Sequence, residues 1–191
     1  LINKYISKNK QLNNLVLYPE YFFVNKNNFY FYIIQKYDTD LFTYIKKKKK
    51  PLDDNEIIFI IKFLIKIIYE LHKMNIIYAD VKLENFVVNI KDNKIKDIKL
   101  IDFDVTLFDE LPNEFLSFDY KIQTLLDNKK PRGTKLYMAS NSTMSKSNDI
   151  YSIGTFIIIL LYKNIMKIIN CNKKNISDNL LSKILNRLSN L

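Results

Sequence analysis
One stretch restricts the fold of this chain more than any other: Ile76-Ile77-Tyr78-Ala79-Asp80-Val81-Lys82-Leu83-Glu84-Asn85-Phe86-Val87-Val88, an apolar run broken by an acid, a lysine and an amide. The flanks Asn75 to Tyr78 and Phe86 to Asn89 read as short buried strands. Asp80, Lys82 and Asn85 are then expected on a tight loop held at both ends by the core. A second short apolar strand, Ile98-Lys99-Leu100-Ile101, follows and ends in Asp102-Phe103-Asp104. Taken singly, Asp80 and Asn85 are ordinary turn residues, and Asp102 ends a surface strand.

The surrounding chain supplies the elements that such a loop needs. Pro51-Leu52-Asp53-Asp54-Asn55-Glu56 starts a helix, with Asp53 at the cap and Glu56 closing a capping box. From Ile57 to His72 the sequence is apolar nearly all round, with Lys62, Lys66 and Glu70 as one narrow polar stripe, which predicts a helix buried on most sides. Tyr21 to Val24 and Phe29 to Ile34, around a turn at Asn25 to Asn28, form a hairpin signal. Asp40 precedes a short helical segment, Leu41 to Ile45, and is expected to cap it. Ile2, Tyr5, Ile6 and Leu12 line one face if the first residues form a helix, and Lys91 to Lys96 reads as a polar turn. Val105 to Lys130 has no clean period and carries Pro112, as expected of a long surface loop. Beyond it, Lys146 to Tyr162 and Ile176 to Leu191 read as helices, the second with Leu180, Leu181, Ile184, Leu185 and Leu188 on its apolar side.

At 191 residues the chain is long enough for one domain with a core and too short for two comfortable ones. Its formal charge is +10, much of it lysine in Lys/Asn/Ile-rich sequence that suits an AT-rich genome. The one dense basic cluster is Lys46 to Lys50. It reads as a solvated helix end closed by Pro51, with an anionic partner, nucleic acid or an acidic substrate, as the alternative. The single Cys171 excludes an internal disulfide framework and a cysteine zinc site, and suits a reducing, cytoplasmic setting. Leu1 to Lys10 is too polar for a signal peptide. Ile57 to Leu71 and Ile150 to Ile169 are interrupted by Lys62, Lys66, Lys163 and Lys167, so neither is expected to span a membrane. The first residue is Leu1, which suits a fragment or a processed product.

A carboxylate to take a proton, a lysine for developing negative charge, and an amide plus a second carboxylate for hard cations are the parts of phosphoryl transfer. In this order they resemble the catalytic loop DxKxxN and the DFG motif of eukaryotic-type Ser/Thr protein kinases. Arg132-Gly133-Thr134-Lys135-Leu136-Tyr137-Met138-Ala139 is similar to that family's GTxxYMAPE, Lys146 to Gly154 is similar to DxWSxG with Tyr151 in place of Trp, and Leu71-His72 resembles its Leu-His pair.

The resemblance implies an α+β, protein kinase-like fold, with residues 1–37 as a partial small lobe and hinge and 38–191 as a mainly helical large lobe. It implies Asp80 as catalytic base, Lys82 on the transferred phosphate, and Thr134 hydrogen-bonded toward both. Asn85 and Asp102 would be Mg²⁺ ligands, Gln35 and Tyr37 part of a hinge over the adenine of ATP, and Asp40 a group that caps its helix or reaches the ribose. Asp149 would anchor the catalytic loop, and His72 would be structural. The implied activity is transfer of the ATP γ-phosphate to Ser/Thr hydroxyls of a protein substrate, without nucleic acid as a partner.

The chain also departs from the family pattern. Its only glycines are Gly133 and Gly154, so it holds no Gly-rich loop, and it holds no Val-Ala-Ile-Lys strand. Ala79 stands at the position of the family's arginine, which argues against control by loop phosphorylation. Asp104 replaces a glycine, at a cost in backbone freedom, and adds a third acid near the metal. Ser140-Asn141 replaces Pro-Glu. Asp102-Phe103-Asp104 also resembles the IDxD/E motif of small-molecule kinases related to aminoglycoside and choline phosphotransferases, but Lys82 and Thr134 favour a protein kinase. A degenerate kinase that binds a partner without catalysis is the alternative.

Overall fold
The computed structural model describes residues 2–7, 9–19, 21–24, 30–110, 133–139 and 144–171. Helix α4, Asp54–Lys73, is the element on which the rest is assembled. Asp53 Oδ1 accepts from Glu56 N at 2.9 Å and the Glu56 carboxylate reaches back to Asp53 N, so the expected capping box is formed. At the other end the helix stops at Asn75, whose φ of 54° is the left-handed conformation that asparagine tolerates after a helix, and its amide bonds His72 O.

Ile60, Leu64, Ile67, Ile68 and Leu71 of α4 enter the core with Phe86, Val88, Phe156 and Leu160. Phe86 sits at the centre, edge-on to Phe156 at 5.3 Å and to Phe63 at 6.2 Å. The opposite face of α4 differs from the expected polar stripe. Glu70 is buried, whereas Ile58, Phe59, Ile65 and Tyr69 are exposed beside Lys62 and Lys66. The helix therefore buries one side rather than most of its circumference.

The start of the chain also departs from a single helix. Helices α1, Ile2–Ser7, and α2, Lys10–Asn13, are separated by Asn9, whose Oδ1 accepts from Gln11 N and Leu12 N. A local side-chain cap competes with helix continuation at this point. Ile6 and Leu12 are fully buried, and Leu15 to Leu17 then run alongside Leu100 with backbone bonds at 2.9 Å.

Strands β1, Tyr21–Val24, and β2, Tyr30–Ile33, pair antiparallel with Tyr21 opposite Ile33, as their sequence suggests; the turn between them lies outside the described residues. Strand β3, Thr39–Asp40, leads into α3, Leu41–Lys47, and pairs with β5, Phe86–Lys91, which pairs in turn with β6, Lys94–Leu100. The expected six-residue turn contracts to Asp92-Asn93, both at positive φ, because these residue types accept the tight hairpin conformation. Asn89 pairs with Asp97 and Ile90 with Ile95, so Lys96 is left over as a bulge. That bulge lets Ile95 and Ile98 both face the core across an odd spacing.

Strand β4, Ile76–Ile77, pairs with β7, Leu107–Phe108. The last described helix, α5, is Lys146–Cys171. By length and composition its Lys146–Met166 part is apolar enough to cross a membrane. Its fully buried Asp149, and the buried Ser152 and Asn164 bonded to Tyr137 O and to Leu52, instead mark it as a helix packed on protein. The expected helix at 176–191 lies outside the described residues.

Candidate active site
The loop after β4 is fixed by buried hydrogen bonds before any reactive group is reached. Asp149, in the first turn of α5, is fully buried and receives Ala79 N at 2.8 Å on Oδ1 and Tyr78 N at 2.9 Å on Oδ2. His72 Nε2 lies 2.9 Å from the same Oδ2, which makes it the structural histidine expected from its place at the end of α4. The Tyr78 hydroxyl donates to Ile101 O at 2.6 Å, and Thr106 Oγ1 donates to Tyr78 O at 3.1 Å. Asp149, Ile101 and Thr106 thereby hold one turn of backbone. Ala79 is kept at φ 72°, a left-handed conformation that a non-glycine residue adopts only when its surroundings impose it.

Asp80 follows, buried, and both carboxylate oxygens are occupied. Oδ1 accepts from Thr134 N at 2.9 Å and Thr134 Oγ1 at 2.8 Å; Oδ2 accepts from Lys82 Nζ at 2.5 Å and Asn85 Nδ2 at 3.0 Å. Lys82 Nζ also donates to Thr134 Oγ1 at 3.2 Å, and Asn85 Nδ2 to Asp80 O at 2.9 Å. Burial acts to raise the Asp80 pKa, but the bonds from Lys82, Thr134 and Asn85 prevail and hold it below its ordinary 3.8. The acid is therefore ionised at neutral pH.

Thr134 can reach Asp80 because its neighbour is glycine. Gly133 has φ 115°, and a Cβ placed there would stand 2.4 Å from Ala79 O and 3.6 Å from Asp80 Oδ1. The motif's glycine thus serves two needs, backbone conformation and close approach. Arg132 and Ser140-Asn141 lie outside the described residues.

Asp102 leaves the end of β6 beside Asn85, since Ile101 N donates to Asn85 O at 2.9 Å. It is exposed, and it carries the positive φ of this turn, 63°. Asp104 is not among the residues of positive φ, so replacing a glycine there costs no left-handed backbone conformation. It presents its backbone N to Asp102 Oδ1 at 3.3 Å, and among the described residues no three acid, histidine or cysteine side chains converge on one point.

The hinge residues are placed less simply than the motif implies. Gln35 is exposed, the Tyr37 hydroxyl donates to Asp97 Oδ2 at 2.5 Å, and Asp40 Oδ1 caps α3 through Thr43 N at 2.8 Å. The structure therefore brings together Asp80, Lys82, Asn85 and Thr134, sets Asp102 next to them, and leaves Gln35, Tyr37 and Asp40 in the segment leading into α3. Sequence reading missed the supporting set of Tyr78, Thr106, Leu15 and Leu17. A tyrosine inside an apolar run was the available signal, because a buried hydroxyl requires a partner.

The loop fixes an ionised carboxylate against a lysine, a threonine and an amide, beside a second exposed acid, an arrangement of the kind that phosphoryl transfer requires. The model of the protein kinase domain matches residues 4–189, so the chain belongs to that family, and its relatives are of the eukaryotic serine/threonine type. The chain is 26% identical over 161 residues to a probable cyclin-dependent serine/threonine-protein kinase of Dictyostelium discoideum, covering 83% of this chain and 10% of that protein. It is 28% identical over 156 residues to calcium-dependent protein kinase 4 of Plasmodium berghei, covering 80% and 27%. It is 27% identical over 125 residues to serine/threonine-protein kinase US3 of human herpesvirus 1, covering 65% and 24%. It thus spans about a tenth to a quarter of these curated relatives. Among solved structures, the yeast RNA Pol II CTD kinase CTDK-1 complex contains a chain that matches with a TM-score of 0.63 at 17% identity, over 85% of this chain and 51% of that one, which supports the same fold.

Proposed function
We propose that this chain is the catalytic part of a serine/threonine protein kinase that transfers the ATP γ-phosphate to a protein hydroxyl, in an intracellular, reducing setting. Residues 1–37 would form the end of a small lobe with its hinge, and 38–191 the large lobe. The observation that carries the reading is the Asp80 carboxylate, held on both oxygens by Lys82, Asn85 and Thr134. A geometry shared by residues from two distant segments is not what an ordinary turn produces.

Asp80 is a weak base, so it does not strip the acceptor hydroxyl early. In a loose transition state, charge lies mainly on the transferred group, and the carboxylate orients the hydroxyl and takes its proton late. Lys82, already beside Asp80, supplies positive charge where the phosphoryl group must pass. Asn85 spends Nδ2 on Asp80, which leaves its Oδ1 for a cation, and Asp102 stands exposed next to it. Two oxygen donors fit Mg²⁺, which is usually held by one or two protein ligands together with substrate phosphates and water. When bound at Asn85 Oδ1 and Asp102, Mg²⁺ would supply positive charge against the phosphates of ATP. Tyr37 and Asp40 would contribute backbone and position to the nucleotide site, because Asp97 and the α3 cap occupy their side chains.

In the protein as it occurs naturally, Asp80→Asn is expected to lower turnover by about 10²–10⁴-fold while Mg²⁺-dependent protection by ATP against thermal unfolding persists. Unchanged turnover would remove Asp80 from the reaction. The second reading is a binding module without catalysis. It is favoured by Asp104 and Ser140-Asn141, which stand in place of the family's glycine and Pro-Glu. That reading requires no phosphate transfer.

A further inference from the structure
The Lys46 to Lys50 run plays no part in the site above, and the structure gives it a shape. It forms the last turn of α3 and the following loop, and it faces the β5–β6 hairpin across a cavity of about 840 Å³. The cavity is bounded by Lys47 to Pro51 on one side and by Ile90 and Asp92 to Lys94 on the other, with Asp53 and Glu56 also in its lining.

Of its three acids, Glu56 and Asp53 are engaged by lysines, and Asp92 is exposed on the hairpin side. Glu56 Oε1 receives Lys48 Nζ at 2.7 Å and the Tyr44 hydroxyl at 2.7 Å, while Asp53 Oδ2 receives Lys94 Nζ at 2.9 Å. Lys47 and Lys50 are exposed and have no ion pair among the described residues. The groove is therefore positive along its Lys47 to Lys50 rim, which faces the single exposed acid Asp92 of the hairpin, with Ile90, Pro51 and lysine stems as apolar wall.

We propose that this groove docks an extended acidic peptide segment of a partner protein, with carboxylates on Lys47 and Lys50 and an apolar side chain against Ile90 and Pro51. A nucleic acid fits less well, because the only aromatic in the wall, Tyr44, is buried with its hydroxyl engaged and offers no stacking face. The length of β5 separates the groove from Asn85 by roughly 17 Å, so docking here leaves the catalytic loop open. The proposal does not depend on phosphate transfer.

The test uses the full chain and a fluorescein-labelled peptide of alternating glutamate and leucine, about eight residues long and so roughly 27 Å when extended. Anisotropy titrations compare it with the glutamine-for-glutamate peptide and with a single-stranded DNA oligonucleotide. The acidic peptide is expected to bind in preference to both. The double variant Lys47→Glu with Lys50→Glu should weaken it by about tenfold, and Lys47→Gln with Lys50→Gln by about threefold. If the charge-reversed protein fails to fold, the glutamine variant decides. Failure of the parent chain to bind the peptide overturns the proposal. So does undiminished binding by a variant of unchanged thermal midpoint, or tighter binding of the oligonucleotide through the same lysines.

Discussion
At the residue scale, Asp80 and Gly133 show how two side-chain choices control a site. The folded pKa of Asp80 lies below 3.8, while the unfolded chain has the ordinary value. Between the two values the unfolded state binds more protons, so Asp80 contributes stability that is complete above the unfolded pKa and is lost as pH falls through the folded one. Acid titration of the thermal midpoint should show a steeper decline below about pH 4 in the parent than in Asp80→Asn; parallel curves would mean that the bonds to Asp80 do not stabilise the fold. Gly133→Ala places a methyl 2.4 Å from Ala79 O at a φ that alanine avoids, so either Thr134 or the Ala79 turn must move. The expected loss is about 2–4 kcal/mol, read by denaturant unfolding, with loss of turnover in the naturally occurring protein. Gly154 is a contrast, since a Cβ there meets nothing within 4 Å.

At the scale of elements, the strongest local signals gave the right local structures. The box around Asp53 and Glu56 starts α4 because both its bonds lie within one turn, and a turn's geometry follows from its own residues. The hairpin of β5 and β6 was legible as two apolar runs, but its bulge at Lys96 was not, because a bulge depends on which core the two strands share. The face of α4 was misjudged for the same reason: composition shows an apolar helix, and only neighbours decide which apolar side is covered. A different tie joins α5 to the start of α4. Asn164 Oδ1 accepts from Leu52 N at 2.6 Å and its Nδ2 donates to Leu52 O at 3.2 Å, both buried. Asn164→Ala strands this amide and carbonyl, and should destabilise the protein by about 2–3 kcal/mol. Hydrogen exchange at Leu52 would reveal the loss directly, and unchanged protection would refute it.

At the scale of the whole molecule, Asp149 is the point where α4, α5 and the catalytic turn meet. Its carboxylate holds two consecutive amides and His72 at distances of 2.8 to 2.9 Å. Asp149→Ala leaves the Tyr78 and Ala79 amides buried without partners, and should cost about 3–5 kcal/mol as well as release the strain at Ala79. A midpoint shift confined to the active-site turn, without a global decrease, would contradict this.

The sequence by itself determined the family pattern, the order of its motifs, the caps of α3 and α4, and the identity of Asp80, Lys82, Asn85 and Thr134 as a set, because residue type and spacing are local properties. Only the tertiary structure decided that it is Ala79 O, from a distant segment, that leaves no room for a side chain at Gly133. It also decided that the first residues split at Asn9 and brace β6 through Leu15 and Leu17. Each of these depends on a contact between segments far apart in the chain, and the energy of such a contact is set by packing that no single stretch encodes.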